Sequence, residues 1–453
     1  MTLTSRPQGS ARPVAGSADR VSPPPAAPSG GDGHAASDGG AAARAGGGDR
    51  AAGVDRAALR RCVAVAPDEF ATVHFGRTPL LSRPPDGFAD LFDVTAVDSL
   101  LSERGLRTPF LRVAKEGRVL PAERFVGSGG TGAEVADQVL DEKVLALLGD
   151  GATLVLQGLH RLWPPLIRFA VGLRADLGHP VQINGYVTPP GNRGFATHYD
   201  THDVFVLQIA GRKRWRIHPP VVPDPLERQP WGGRADEVSA AADGAPFLDE
   251  VFAPGDALYL PRGWLHSAQA VDELSVHLTI GVKSYTRHDL LGALLDLAVS
   301  EPSLRRGLPM GVDVTSAAGL AGELESTVDA LRDWLSTVDA ADVARLLGAR
   351  DRTSARPAPL APLAQLAAAD ALDPATPVAL RPGLRPTLRP SGDRVIMSLY
   401  GRTLDFPGFC APALERVLAG EPCRARDLPG LDDAADGMVL LRRLLREAVV
   451  VPL

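Results

Sequence analysis

The chain has 453 residues, of which 45 % are hydrophobic, and a formal net charge of −6. This length predicts two or three folded units with enough apolar material for buried cores, and the acidic balance argues against nucleic acid as the default partner. The three cysteines are scattered, no apolar run reaches the roughly 18 residues that span a membrane, and the N-terminal segment lacks the apolar core of a secretory signal. We therefore expect a cytoplasmic protein without a disulfide framework or a cysteine metal site.

The N-terminal 54 residues are rich in Gly, Ala, Pro and Ser and contain no aromatic residue. Such a segment buries too little apolar surface to offset its ordering entropy, so we expect a disordered tail over 1–54. Folded α/β elements should begin at about residue 57. Apolar spacing predicts helices at 94–101 and 137–147, a buried strand at 152–156, and strand-like pieces at 72–81 and 109–113.

From Val181 to Tyr285 the sequence consists of short apolar runs separated by Pro and Gly turns. Many short strands with turn signals between them are typical of a sandwich or a barrel. The candidate strands are 182–187, 204–209, 214–217, 257–260 and 275–282.

The remaining chain divides into three parts. Residues 287–350 carry leucines and valines at helical spacing and predict a helical region, either a cap on the barrel or an oligomerisation element. Many prolines over 354–390 suggest a linker or irregular bridging segment. Residues 391–453 read as strand, helix, loop, helix and strand, an order that suits a small winged-helix-like domain.

His198 and Asp200 are two residues apart in the predicted β region. In a strand, alternate residues face the same side, so both side chains can point into a barrel. A His-X-Asp tripeptide is common, however, and one extended segment cannot surround an ion.

The third candidate ligand is His266, which follows a turn, an apolar strand and a second turn beginning at Gly255. Two imidazoles and one carboxylate leave one face of a metal open. This set is the facial triad of non-haem iron(II) oxygenases. The simpler interpretation of His266 alone is a strand-end histidine bonded to backbone, and the co-occurrence of both pieces in an all-β segment favours the metal.

Lys213 lies fifteen residues after His198, beyond the turn Ala210-Gly211-Arg212. Its ammonium could reach the distal carboxylate of a dicarboxylate cosubstrate. A surface lysine is the alternative, but strand alternation puts Lys213 on one face with Trp215 and the neighbouring arginines on the other.

The segments 184–220 and 255–281 resemble the Jumonji-C domains of the ribosomal oxygenases, which hydroxylate ribosomal proteins. The shared elements are Asn184-Gly-Tyr186-Val-Thr-Pro, His198-Tyr-Asp200, Val-Phe-Val-Leu-Gln208, Gly211-Arg-Lys-Arg-Trp215 and Pro261-Arg-Gly-Trp-Leu-His266. Asn192-Arg193-Gly194 replaces a frequent Ser-Gln-Gly, Thr201 replaces a frequent second Asp, and Gly281 stands where some members have Ser.

The resemblance implies a cupin-type, double-stranded β-helix barrel over 57–286 with flanking helices. It implies that His198, Asp200 and His266 bind Fe(II), that Lys213 holds 2-oxoglutarate, and that Asn184 and Tyr186 line the cosubstrate pocket. O₂ would be the second cosubstrate. It also implies a helical dimerisation region, and hence a possible homodimer, followed by the winged-helix-like domain.

The function that this predicts is an Fe(II)- and 2-oxoglutarate-dependent oxygenase that hydroxylates a protein side chain, with a ribosomal protein as the leading partner. A methyl-lysine demethylase, a peptide or small-molecule hydroxylase and a zinc enzyme are alternatives with the same ligands. A non-enzymatic cupin-type binding module is a different class. A DNA-contacting C-terminal domain is not favoured, since 393–453 holds eight arginines against nine acidic residues.

Overall fold

The structure, a computed structural model, describes residues 55–193, 195–354 and 356–453. The strands are β1 Leu80–Ser82, β2 Leu111–Lys115, β3 Arg118–Val119, β4 Val126–Gly127, β5 Gln138–Val139, β6 Thr153–Leu156, β7 Val181–Thr188, β8 Asp203–Ala210, β9 Lys213–His218, β10 Leu248–Phe252, β11 Ala257–Leu260, β12 Leu265–Ala270, β13 Ser275–Val282, β14 Val378–Leu380, β15 Thr387–Ser391, β16 Arg394–Leu399, β17 Arg402–Pro407 and β18 Val450–Pro452. The helices are α1 Ala57–Arg60, α2 Pro67–Glu69, α3 Val94–Asp98, α4 Asp141–Gly149, α5 Leu159–Leu162, α6 Pro164–Leu177, α7 Ala235–Ala242, α8 Arg287–Ala298, α9 Ala317–Leu335, α10 Ala340–Ser354, α11 Pro362–Asp370, α12 Ala411–Leu418 and α13 Ala434–Arg446. The tail expected over 1–54 lies outside the described residues.

Two antiparallel sheets form the barrel. The large sheet has the strand order β1-β11-β8-β13-β7-β6-β2-β3, and the small sheet has the order β10-β9-β12. The five strands predicted between residues 182 and 282 are all present, extended by a residue or two where their bounds differ. Strands β10 and β12 were not predicted, and both pair with β9. The architecture is the sheet-rich cupin barrel that the sequence predicts.

Strand alternation divides the barrel into an interior and a helix-covered face. On β8, Val204 and Val206 pack inside with Trp215, whereas Phe205 and Leu207 join the larger core on the other face. Because successive side chains point to opposite faces, one apolar run can serve both cores. The barrel interior is therefore lined by fixed side chains of two facing sheets.

Helix α6 lies in the larger core, and its bounds follow from the sequence. Pro164 is at its first turn, and Gly178 ends it with a left-handed φ of 74°. Leu166 and Leu173 are fully buried along one face. The helix thus covers the outer side of the sheet and leaves the inner side to the cavity.

The strand-like piece expected at 72–81 is wrong for most of its length. Pro67 starts a helix, which continues as a π-helical turn over Phe70–His74, and only Leu80–Ser82 form a strand. The apolar run misled because Phe70 packs into the core from a helical turn, against Phe205 and Tyr259 of the barrel. Proline at the first helical position was the available signal.

Residues 287–350 are helical, as predicted, with α8, α9 and α10. Thr286 and Asp289 form a capping box that starts α8. Of the nineteen residues of α9, none is buried within the part of the chain that the structure describes. Large apolar side chains are more than 40 % exposed along α8 and α9, namely Leu290, Leu291, Leu295, Leu324, Val328 and Leu335.

The proline-rich segment 354–390 is not a linker. It contains α11, β14 and most of β15, and it contributes Leu372 and Val378 to the C-terminal core. The prolines are compatible with this structure because Pro362 occupies the first turn of α11, where a missing N–H costs nothing. The C-terminal unit also has the strands β15-β16-β17 as a sheet, and the helices α12 and α13 as predicted. No described helix is long and apolar enough to cross a membrane.

Candidate metal centre

His198 and His266 are brought together by backbone pairing. The N–H of His198 donates to the carbonyl oxygen of His266 over 3.2 Å, and the reverse bond is 2.8 Å long. This single bridge joins the segment after β7 to the start of β12. Because directly opposed residues place their side chains on the same face, the two imidazole centroids are 4.4 Å apart.

Both imidazoles are oriented by a carbonyl two residues back. Nδ1 of His198 lies 2.8 Å from the carbonyl oxygen of Ala196, and Nδ1 of His266 lies 3.2 Å from that of Trp264. A carbonyl can only accept, so each Nδ1 carries a proton, and Nε2 is the atom of a neutral imidazole that is left to bind a metal. This is the second-shell arrangement that metal-binding histidines normally show.

Asp200 completes the group. Its main-chain carbonyl accepts the N–H of Gly263 at 2.9 Å, and its carboxylate oxygen is 3.8 Å from Nε2 of His266. One ligand atom from each of the three residues lies within 4.8 Å of the others, the only such group of three in the described chain. Two imidazole nitrogens and a carboxylate oxygen at this spacing can contact one ion.

The electrostatics of the group are set by burial. Desolvation is the largest effect on His266 and lowers its pKa to about 4, so its imidazole is neutral at physiological pH. Burial raises the pKa of Asp200, but the neighbouring imidazoles, His266 first, outweigh this and leave that pKa below its usual value. An ionised Asp200 beside a neutral His266 imidazole suits the binding of a divalent ion.

Lys213 is buried inside the barrel, with 3 % of its surface exposed. It follows a turn at Gly211, whose φ is +61° and where a Cβ would lie 2.1 Å from the carbonyl oxygen of Leu274. Nζ donates to Oγ1 of Thr188 at 3.0 Å and lies 3.4 Å from Nδ1 of His277. Burial lowers the pKa of Lys213 to about 7, and no described carboxylate forms an ion pair with it.

A cavity of about 380 Å³ is lined by the three triad residues and by Lys213. His277 lies beside Lys213, stacks on Tyr186 with centroids 4.8 Å apart, and meets Trp215 edge-on at 5.3 Å. His277 and Trp231 line this cavity and Thr188 contacts Lys213, but none of the three was predicted from the sequence. Alternation along β13 would have found His277, because Ser275 and Thr279 share its inward face.

Tyr186 and Asn184 behave differently, although both are on the same face of β7. Tyr186 lines the cavity. Asn184 instead accepts a hydrogen bond from the N–H of Gly158, which precedes α5, at 3.1 Å. The structure therefore brings Tyr186 to the triad and Lys213, and gives the Asn184 amide oxygen a backbone partner.

Comparisons with known proteins agree with this geometry. Residues 172–290 match the JmjC domain family. It is 32 % identical over 278 residues to ribosomal oxygenase 1 of Gallus gallus, covering 59 % of this chain and 43 % of that protein. It is 40 % identical over 141 residues to the bifunctional lysine-specific demethylase and histidyl-hydroxylase NO66 of Drosophila persimilis, covering 29 % and 19 %.

Among solved structures, Escherichia coli ribosomal oxygenase YcfD matches 86 % of this chain and 99 % of its own, with a TM-score of 0.51 and 18 % identity. A second structure of YcfD, in complex with cobalt and succinic acid, matches the same shares with a TM-score of 0.50 and 18 % identity. These likenesses establish the JmjC cupin fold. The chain covers less than half the length of the curated relatives it matches.

Proposed function

We propose that this protein is an Fe(II)- and 2-oxoglutarate-dependent oxygenase that hydroxylates a side chain of another protein, with a ribosomal protein as the target. The observation that carries the proposal is one cavity lined by a His-Asp-His group and by a buried lysine that has no acidic partner among the described residues. A metal hydrolase would use the first feature and leave the second unexplained. A dicarboxylate cosubstrate accounts for both.

His198, Asp200 and His266 fit iron(II) because the donor set is that of 2-His-1-carboxylate oxygenases. Bound there, iron supplies the activation of O₂ that protein side chains cannot perform. The protein supplies the geometry. The carbonyls of Ala196 and Trp264 hold both Nε2 atoms toward Asp200, and the burial of His266 keeps its imidazole unprotonated.

Lys213 fits the distal carboxylate of 2-oxoglutarate. A buried amine with only Thr188 and His277 as partners is poorly solvated, and an anion would restore its charged state. The Thr188 hydroxyl is fixed by Lys213 on one side and Thr153 at 3.3 Å on the other. We propose that the Tyr186 ring forms one wall of the 2-oxoglutarate pocket and that Asn184 lies at the edge of this pocket.

The comparisons support the choice of reaction. Relatives over the barrel region are named ribosomal oxygenases, and the YcfD complex with succinic acid contains the product expected from 2-oxoglutarate in such a reaction, together with cobalt. The name of the Drosophila relative also includes lysine demethylation, which makes a methyl-lysine demethylase the second candidate. Formaldehyde release from a methylated peptide would identify it.

The test is succinate formation by the purified protein loaded with Fe(II) under anaerobic conditions and then exposed to O₂. His198→Ala should abolish it, and iron-dependent turnover by this variant would contradict the assignment. Intact-mass comparison of ribosomal proteins from cells with and without the gene should show one protein heavier by one oxygen atom. A cupin-type binding module without enzymatic activity predicts neither result.

We further propose that a second copy of the chain covers the helical region 287–350. An entirely unburied α9 with exposed Leu324, Val328 and Leu335 is hard to reconcile with a solvated surface. Leu291→Glu together with Leu295→Glu should convert a dimer into a monomer in sedimentation experiments. A wild-type protein that sediments as a monomer would contradict the dimer.

We propose that the C-terminal unit is a winged-helix-like domain, and that it has a protein-interaction role because its charges are balanced. We also propose a cytoplasmic location. All three cysteines are buried and free, as in a reducing compartment.

A further inference from the structure

A second and larger cleft, of about 780 Å³, borders the chain segment that follows Asp200. Its wall includes Thr201 and His202, which directly follow Asp200 in the chain. The same wall contains Arg262, whose N–H donates to the Asp203 carboxylate at 2.8 Å, next to the bond from Gly263 to Asp200. The cleft therefore shares its floor with the segment that carries the carboxylate of the triad.

The charge of this cleft is opposite to that of the whole chain. Its lining contains five lysines or arginines and two acidic residues, in a protein with 48 basic and 54 acidic residues. Of the two acids, Asp289 already accepts the N–H of Thr286 as a helix cap at 2.7 Å. Glu227 is the only lining carboxylate without such an internal role among the described residues.

Of the four exposed cations, three form no ion pair with a described carboxylate: Arg161, Arg228 and Lys283. They come from three separate elements, namely α5, the loop after β9 and the end of β13. By contrast, Arg262 pairs with Asp224, and Arg350 pairs with Asp296. Unpaired like charges gathered around a concave surface repel one another, and an anionic partner would relieve this repulsion.

We propose that this cleft binds an acidic segment of the target polypeptide, beside the residue that enters the metal cavity. The inference rests on the proposed function for its choice of partner. A polypeptide fits better than RNA because, among the described residues, the lining contains one Tyr and no Phe or Trp; the hydroxyl of this Tyr285 donates to Asp351 at 2.6 Å. The net negative charge of the protein repels a long polyanion such as RNA more strongly than it repels a short acidic peptide segment.

The test is fluorescence anisotropy with the metal-free full chain and four labelled probes: hexaglutamate, hexaserine, hexalysine and a six-nucleotide uridine RNA. Hexaglutamate should bind most tightly and lose affinity in high salt. Reversal of the three charges, Arg161→Glu with Arg228→Glu and Lys283→Glu, should weaken its binding at least tenfold. The matched control is Arg389→Glu, an exposed and unpaired arginine of β15, which should change the affinity less than twofold.

Equal affinity for hexaglutamate and hexaserine, tighter binding of the RNA, or an equal loss in Arg389→Glu would each overturn the proposal. A triple Gln variant at the same positions separates charge from misfolding, since it should also lose hexaglutamate binding while keeping the wild-type circular dichroism. Because binding is measured without iron or 2-oxoglutarate, this outcome is independent of the oxygenase test. If no succinate is formed, the oxygenase assignment is wrong, but the anisotropy result can still be interpreted.

Discussion

Replacing Lys213 with methionine should weaken the binding of 2-oxoglutarate and stabilise the fold at the same time. The side chain is buried, and its amine has Thr188 and His277 as neighbours but no described acidic partner. Methionine has a similar length and carries no charge. A hydrogen bond between charged groups contributes about 1.5–3 kcal/mol, so the apparent affinity for 2-oxoglutarate should fall about 10- to 150-fold.

The gain in stability follows from the lowered pKa. Burial moves the pKa of Lys213 from 10.5 in a model peptide to about 7. A lysine with a lower pKa in the folded state destabilises the fold at every pH below its unfolded pKa, and the loss is complete below pH 7. At pH 7 this penalty is on the order of 4 kcal/mol, reduced by about 1 kcal/mol for the lost bond to Thr188.

The assay combines calorimetry for 2-oxoglutarate binding with urea unfolding of the same samples at pH 7. Arg214→Met is the matched control, because Arg214 is the next residue of β9, faces outward and pairs with Asp249 at 2.6 Å. It should leave the affinity for 2-oxoglutarate unchanged. Loss of stability in Lys213→Met with unchanged affinity would refute the reasoning, since the lysine would then be a structural residue and not an anion site.

Three further changes test other parts of the structure. The Lys213 amine must be protonated to hold a carboxylate, and its pKa is about 7. The affinity for 2-oxoglutarate, measured by calorimetry, should therefore fall about fivefold from pH 7 to 8 and about tenfold from pH 8 to 9. An affinity that does not change with pH would contradict the charge pairing. Gly211→Ala should lower the free energy of unfolding by clearly more than the roughly 1–2 kcal/mol that a left-handed φ costs, because its Cβ would overlap the carbonyl of Leu274. Gly401→Ala is the control, since Gly401 also has a positive φ but its Cβ would meet open space. Equal losses of unfolding free energy in urea would contradict this difference. Leu444→Ala should lower the free energy of unfolding by about 2–5 kcal/mol, and Val439→Ala, exposed on the same helix, by less than about 0.5 kcal/mol.

The barrel strands of the large sheet were predictable because their apolar runs are continuous or alternate cleanly. Strand β10 was missed because it is an edge strand whose three middle residues are exposed, two of them acidic. Asp249 holds it to β9 through ion pairs with Arg214 and Arg216, a cross-strand contact that no local pattern reveals. The proline-rich segment failed for a related reason, since proline excludes only particular positions of a helix or strand.

The candidate site was predicted more completely than the fold. Spacing placed His198 and Asp200 in one segment and His266 in another, and alternation placed Lys213 inward, all of which the geometry agrees with. The role expected of Asn184 depends on the direction in which its side-chain amide points. Its bond to Gly158, 26 residues earlier, depends on how the loop before α5 packs, which strand alternation does not determine.

The convergence of the triad depends on backbone pairing more than on side-chain packing. Besides the bridge at His198 and His266, the carbonyl oxygen of Asn192 accepts the N–H of Ala270 at 3.0 Å, and Gly191 donates to Val271 at the same distance. Gly191, Asn192 and His198 are thus all bound through their main chains to β12 or to the residue after it. Substitutions of exposed side chains at the cavity rim can therefore reshape it while both imidazoles keep their positions, because main-chain hydrogen bonds do not depend on which side chain is present.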